Sequence, residues 1–283
     1  MTEISLAYSP CPNDTFIFAA LTNGLLGGGA PKVAVVLDDV EALNRAALEG
    51  RHVLTKVSYG AIPALLGRYR ILRAGGALGR GCGPLVVALP GVDGKAPLIT
   101  DFAADAVFAI PGRMTTAYAL LRLALGFEPK VREMRFDRIV EAVKNEDVAA
   151  GLIIHESRFT YRASGLVESI DLGDWWEHET GNPIPLGAIL VRRDVTDADV
   201  RTINDAIRRS LRFAYDHDDA IIGYVREHAF EMDEDVMRKH IGLYVNEFSD
   251  DLGENGIAAV VDLFGREEAA GLIPAGTRPE FVP

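Results

Sequence analysis

Cysteine is nearly absent. Only Cys11 and Cys82 occur in 283 residues, too few for a disulfide scaffold and in keeping with a reducing compartment. Long apolar runs are missing too: none approaches the roughly 20 residues of a membrane-spanning helix, so no membrane partner is expected. Net positive charge is lacking, with 29 Lys and Arg against 41 Asp and Glu and a formal charge of −12. Such a surface repels phosphate backbones and anionic lipids, which argues against nucleic acid as a partner. The stretch from Met1 to Pro10 has neither a basic region nor a sustained apolar run, unlike a secretory signal, and a cytoplasmic location is expected. No pair of histidines and carboxylates has metal-ligand spacing, so a metal site is unsupported; no other cofactor is expected.

What is present is an ordinary globular composition, 48% apolar and 25% charged, in a chain long enough for one large domain or two modest ones. Short apolar runs alternate with helical patterns. Strands are expected over 4–8, 33–37, 53–57, 69–73 and 84–89, with helices over 13–26 and 38–50, which implies an α/β sheet with mostly parallel pairing. The pattern dissolves into Pro and Gly over 90–97. A second α/β series follows, with strands over 106–110, 131–136 and 151–154 and helices over 115–125 and 137–146.

After an apolar strand over 186–191 the chain becomes helical, opened by a Thr196/Asp199 capping box before the amphipathic run 200–215. A helical tail without its own sheet must cover an existing lobe, and the first is the natural host. The expectation is a two-lobed α/β fold: residues 1–90 and 192–283 form the large lobe, 91–191 the small lobe, and a ligand cleft lies between them. One continuous doubly wound sheet is the alternative. No helix carries an evidently surplus apolar face, so the oligomeric state stays unassigned.

Candidate site residues cluster at strand ends. Ser9-Pro10-Cys11-Pro12-Asn13-Asp14 joins the first strand to the first helix at the sheet edge where ligands bind, and Asn13 or Asp14 could cap that helix. Ser9, Asn13 and Asp14 are thus candidates for lining the cleft. Lys56-Val57-Ser58 ends a strand and could present a cation and a hydroxyl to a carboxylate. Thr115 and Thr116 open a helix whose free N–H groups and dipole suit an anion; one of them is the N-cap, leaving the other hydroxyl unexplained. The glycine-dense segment 75–83 matches neither phosphate-loop nor dinucleotide spacing, and offers Arg80 as a possible anion contact. His155 ends the apolar run Gly151-Leu152-Ile153-Ile154, a position suited to a base working near neutrality, although by position alone a lone histidine is more often a structural one.

Ser-Pro-Cys-Pro-Asn-Asp-Thr-Phe at 9–16, Thr-Lys-Val-Ser-Tyr at 55–59, Gly-Gly-Ala-Leu-Gly-Arg-Gly at 75–81 and Gly-Leu-Ile-Ile-His-Glu-Ser-Arg-Phe-Thr-Tyr at 151–161 together resemble the 1,4-dihydroxy-6-naphthoate synthase family. That family works in the futalosine pathway of menaquinone biosynthesis, and the resemblance runs essentially end to end. It implies a periplasmic-binding-protein-like (type II) fold and a lyase that converts cyclic dehypoxanthinylfutalosine to 1,4-dihydroxy-6-naphthoate, releasing a sugar-derived fragment. By the same resemblance His155 is the proton acceptor, and Lys56, Val57, Ser58, Thr115 and Thr116 contact a small-molecule substrate. Two rivals remain: a non-catalytic solute-binding protein for small anions, and the chorismate dehydratase of the same pathway.

Overall fold

Strands whose two faces are both apolar must be covered on both sides, and the chain builds two such sheets. The computed structural model describes residues 3–229 and 233–282. The chain begins β1 (Ile4–Tyr8), α1 (Pro12–Thr22), β2 (Val33–Leu37), α2 (Val40–Leu48), β3 (Leu54–Ser58), α3 (Ile62–Leu65), β4 (Tyr69–Leu72) and β5 (Ala77–Gly79). It continues through β6 (Leu85–Ala88), β7 (Val107–Ile110), α4 (Thr116–Leu125), β8 (Lys130–Glu133), α5 (Ile139–Lys144), β9 (Ala150–Ile153), α6 (Ser157–Thr160), β10 (Val167–Asp171) and α7 (Leu172–Thr180). It ends with β11 (Ile184–Arg192), α8 (Asp197–Asp216), α9 (Asp218–His228), α10 (Glu234–Tyr244), α11 (Glu247–Asp250), α12 (Gly253–Ala269) and β12 (Phe281–Val282).

The larger sheet runs β12-β4-β11-β3-β1-β2, with β5 also on β11; the smaller runs β10-β6-β9-β7-β8. Pairing is mixed rather than mostly parallel. β1 is parallel to β2 and β3, whereas β11 is antiparallel to β3, β4 and β5. In the smaller sheet β7 is parallel to β8 and β9, while β6 is antiparallel to β9 and β10.

The expected lobe limits at 90/91 and 191/192 both need correction. β6 belongs to the smaller sheet and β11 to the larger, so the chain crosses over 80–84 and again over 181–183. Hydrophobic period identifies a strand but carries no information about its partner. The Pro/Gly stretch that looks like a linker is an exposed loop inside the second unit, with Val92 fully exposed at its tip. Helix α7 and strands β5, β10 and β12 are additional to the expected elements. At the first crossing Gly83 touches Gly173 of α7 backbone to backbone: a Cβ on Gly83 would lie 2.3 Å from the Gly173 Cα.

The helical tail covers the larger lobe. Ile203, Ile207 and Leu211 of α8, Ile221 of α9 and Met237 of α10 share one core with Ile17 and Phe18 of α1 and Leu6 of β1. Thr196 caps α8 as expected, accepting from Asp199 N at 3.2 Å. Among the described residues no helix is long and apolar enough to cross a membrane.

One buried carboxyl in the tail has a measurable consequence. Glu267 of α12 is 1% exposed and its Oε2 has no hydrogen-bond partner. Burial pushes its pKa from 4.5 up to about 8, opposed by Arg122. A folded pKa raised above the unfolded one means that stability is complete below the unfolded value and is lost as pH rises through about 8. Glu267→Gln is therefore expected to stabilise the fold at pH 8 by about 1–3 kcal/mol and by less at pH 5. Thermal melts across that range check this; a variant whose Tm follows the wild type at every pH refutes it.

Candidate functional site

The floor of the cleft is built by the turn after β1. Pro12 occupies the first turn of α1, and Cys11 stands at its N-cap without a side-chain capping bond, so neither Asn13 nor Asp14 caps the helix. Asp14 instead turns inward. Its Oδ2 accepts from Ser9 Oγ at 2.7 Å and Ser9 N at 3.3 Å, and its Oδ1 accepts from Asn13 Nδ2 at 2.9 Å and Lys56 Nζ at 2.5 Å. The Lys56 and Asp14 side chains are only 6% and 2% exposed. Lys56 sits here because it lies on β3 next to β11, where Gly187 has no side chain: a Cβ there would lie 2.9 Å from Lys56 Cε.

Strand alternation sends the neighbouring side chains elsewhere. Val57 is fully buried in the apolar core with Tyr59 and Ile62 and does not line the cleft. Ser58 does, and its Oγ accepts from Asn44 Nδ2 at 3.3 Å while Asn44 Oδ1 holds Ser58 N at 2.9 Å. Arg80 points outward, half exposed, bonded to Glu177 at 3.2 Å and to Gly181 O at 2.8 Å. It is no cleft residue, because β5 ends at Gly79 and the chain there turns toward α7.

The opposite wall is the start of α4. Thr115 is its N-cap, accepting from Tyr118 N at 3.2 Å and donating to Gly112 O at 2.8 Å. The second hydroxyl is engaged as well. Thr116 Oγ1 donates to Leu186 O at 2.7 Å and accepts from Gly60 N at 3.1 Å, lacing α4 to the larger lobe. What α4 still offers are the N–H groups of Thr116 and Ala117, which have no acceptor among the described residues, at the positive end of the helix dipole.

His155 follows β9 in the left-handed backbone region, φ 57°, a costly conformation for a non-glycine residue that often marks a functional position. Its ring packs edge-on against Phe136 at 5.1 Å, and neither ring nitrogen has a hydrogen-bond partner among the described residues. Burial lowers its pKa to about 4, with Asp14 acting to raise it and Lys56 to lower it. The imidazole is therefore neutral at pH 7, with a free lone pair for a proton.

Ser9, Asn13, Asp14, Lys56, Ser58, Thr115, Thr116 and His155 all line one cleft with an empty volume of about 640 Å³ including its open mouth. Sequence reasoning missed its apolar wall and its tail residue: Cys82, Leu186 and Tyr244. Burial pushes the Cys82 thiol up to about 12 and raises the Tyr244 hydroxyl above its ordinary value, so both stay protonated. The Pro185-Leu186-Gly187 run offered a signal for Leu186, whereas Tyr244 lies on the tail, with no local mark. Among the described residues no group of three or more His, Cys, Asp or Glu side chains converges in a metal-binding arrangement.

Residues 4–269 match the family model described as menaquinone biosynthesis. A 1,4-dihydroxy-6-naphthoate synthase of Thermus thermophilus is 51% identical over 100% of both chains. One from Streptomyces coelicolor is 46% identical over 96% of this chain and 95% of its own. Among solved structures, an Archaeoglobus fulgidus protein superposes with a TM-score of 0.87 at 36% identity, covering 96% of this chain and 98% of that one. The alkanesulfonate-binding protein of Xanthomonas axonopodis pv. citri, bound to MOPS, superposes with a TM-score of 0.71 at 13% identity, over 97% of this chain and 95% of its own. At that identity the likeness concerns the fold alone, which is the two-lobed periplasmic-binding-protein-like architecture. The chain belongs to the menaquinone-biosynthesis family, in the company of 1,4-dihydroxy-6-naphthoate synthases.

Proposed function

We propose that this enzyme of menaquinone biosynthesis is itself a 1,4-dihydroxy-6-naphthoate synthase. It is a carbon-carbon lyase that takes cyclic dehypoxanthinylfutalosine and releases the sugar-derived fragment, with His155 as the base. The observation that carries the reading is a neutral, unpartnered His155 in the same cleft as the Lys56–Asp14 pair and the open start of α4. A half-buried imidazole that opens on the cleft without an intramolecular partner is placed to meet a ligand rather than to hold the fold together.

The division of labour follows from charge. The carboxylate of a naphthoate precursor suits the Thr116 and Ala117 N–H groups, which accept an anion without needing a counter-ion. Ser58 Oγ accepts from Asn44, leaving its own proton to donate to a substrate hydroxyl. Between these anchors His155 takes a ring proton, and breaking the link to the sugar remnant lets the ring become aromatic. The cleft's apolar residues exclude water, which strengthens each of these contacts.

His155→Asn keeps a polar side chain of similar width but removes the base. Turnover of the cyclic substrate, followed by the naphthoate chromophore, is expected to fall by about 10²–10⁴-fold with an unchanged melting temperature. Near-wild-type turnover would remove His155 from the mechanism.

The direction of the His155 shift fixes the pH profile. A base works unprotonated, so kcat/KM rises with pH through its pKa; with that value lowered to about 4, the acid limb lies below the ordinary 6.5 and the profile is flat from neutrality to pH 8. An acid limb centred at or above 6.5 would contradict the assignment.

A further inference from the structure

His240 lies on α10 of the tail, wholly buried one layer behind the cleft. Its Nε2 is 2.9 Å from Asn13 Oδ1. We propose that His240 is a positioning residue that locks the Asn13 amide, so that Asn13 Nδ2 and Lys56 Nζ together receive the substrate oxygen that gains negative charge when His155 removes its proton. The proposal rests on the synthase reading above.

The orientation follows from what each group is able to do. The Asp14 carboxylate only accepts, and it lies 2.9 Å from the Asn13 amide nitrogen. The amide oxygen of Asn13 therefore faces His240, and an oxygen there requires the proton on Nε2. Burial, with His155 and Lys56 as further causes, holds the His240 pKa well below its ordinary value, so the ring keeps a single proton; with that proton on Nε2, Nδ1 bears none, and the Glu156 Oε1 that faces it lies 3.9 Å away, beyond hydrogen-bond reach. The hydrogen bonds then run one way: His240 Nε2–H to Asn13 Oδ1, Asn13 Nδ2–H to Asp14 Oδ1, and Lys56 Nζ–H to the same Asp14 oxygen. One Asn13 N–H and one Lys56 N–H remain without an acceptor among the described residues, on two side chains that both line the cleft.

Two donors held in this way suit the chemistry. A ring oxygen that ends as an aromatic hydroxyl begins, before aromatisation, as a ketone. When the neighbouring C–H proton passes to His155, the C–H electron pair becomes the ring C=C and the carbonyl π pair moves onto oxygen, giving an enolate. No redox partner is involved. Fixed donors aimed at such an oxygen lower the barrier because they need no reorganisation during the step.

The test is a double-mutant cycle on the intact enzyme with the cyclic substrate. His240→Phe and Asn13→Ala are each expected to lower kcat by about 10²-fold, with KM within about three-fold, and the double variant to be no slower than either single one. Losses that multiply toward about 10⁴-fold, or a His240→Phe enzyme with full kcat, would overturn the proposal. A second measurement needs no turnover: 15N NMR of the unliganded wild type is expected to show His240 protonated on Nε2, and protonation on Nδ1 would overturn it equally. Wild-type turnover itself checks the synthase reading, so the two failures are separable.

Discussion

Burying a lysine and an aspartate together is costly unless each finds further partners, since taking charges out of water costs several kcal/mol per ion. At the floor of this cleft Lys56 and Asp14 meet at 2.5 Å, and much of the surrounding chain serves that contact. The two prolines hold the turn that lets Ser9 donate twice to Asp14 Oδ2. Asn13 spends one amide proton on the same carboxylate. Gly187 gives the lysine stem a path across β11, and Gly75 O lies 3.4 Å from the ammonium. Removing either charge leaves the other stranded, so sequence, turn and strand register are bound together at one point.

The same floor explains how the second lobe is placed. Thr116 spans to Gly60 and Leu186, and the close fit of Gly112 against Glu41 lets the β7–α4 turn approach α2; any Cβ at Gly112 would strike that carboxylate at 2.3 Å. The exposed Arg45–Glu133 pair at 2.7 Å adds a contact across the lobes, worth little on its own in water. The register between the lobes is thus set by an apolar core that both share, Leu190 and Phe264 with Leu120 and Trp176 among it, and by hydroxyl and backbone contacts at the cleft, rather than by surface charge. Opening the cleft would break the Thr116 bonds while leaving the Lys56–Asp14 floor intact, because both charges sit on the larger lobe.

Local signals made much of this legible. The turn chemistry of 9–14, the end of β3, the start of α4 and the histidine after β9 were all visible as strand-to-helix junctions, where α/β folds place their ligands. Lobe membership was not. β6 and β11 read as apolar strands whichever sheet receives them, and only long-range pairing decides. Val57 and Arg80 show a second limit: a motif delimits a segment, but alternation and turn direction decide which side chains reach the cleft. Tyr244 and His240 mark a third, since they arrive from a tail whose sequence period announces helix packing and nothing about the site.

His155 and His240 show how environment divides one residue type into two roles. Both are held neutral by burial, and their rings lie nearly parallel with centroids 6.2 Å apart. His240 spends its proton on Asn13 and is fully buried. His155 has no such bond and sits in a strained backbone conformation at the cleft surface. A hydrogen-bonded imidazole is oriented, whereas a bare one is available. If His155 were also tied to a carboxylate, its proton affinity would rise and its lone pair would point where the protein chose. Left bare beside Phe136, it is open to a ligand, and in the role proposed for it above its positive charge would appear only once the ligand had given up a proton. That charge then forms within reach of Asp14, which favours it, and of Lys56, which opposes it. Of the two effects that of Asp14 is the larger, so it is burial, and not the ion pair at the floor, that keeps the imidazole neutral before a ligand arrives.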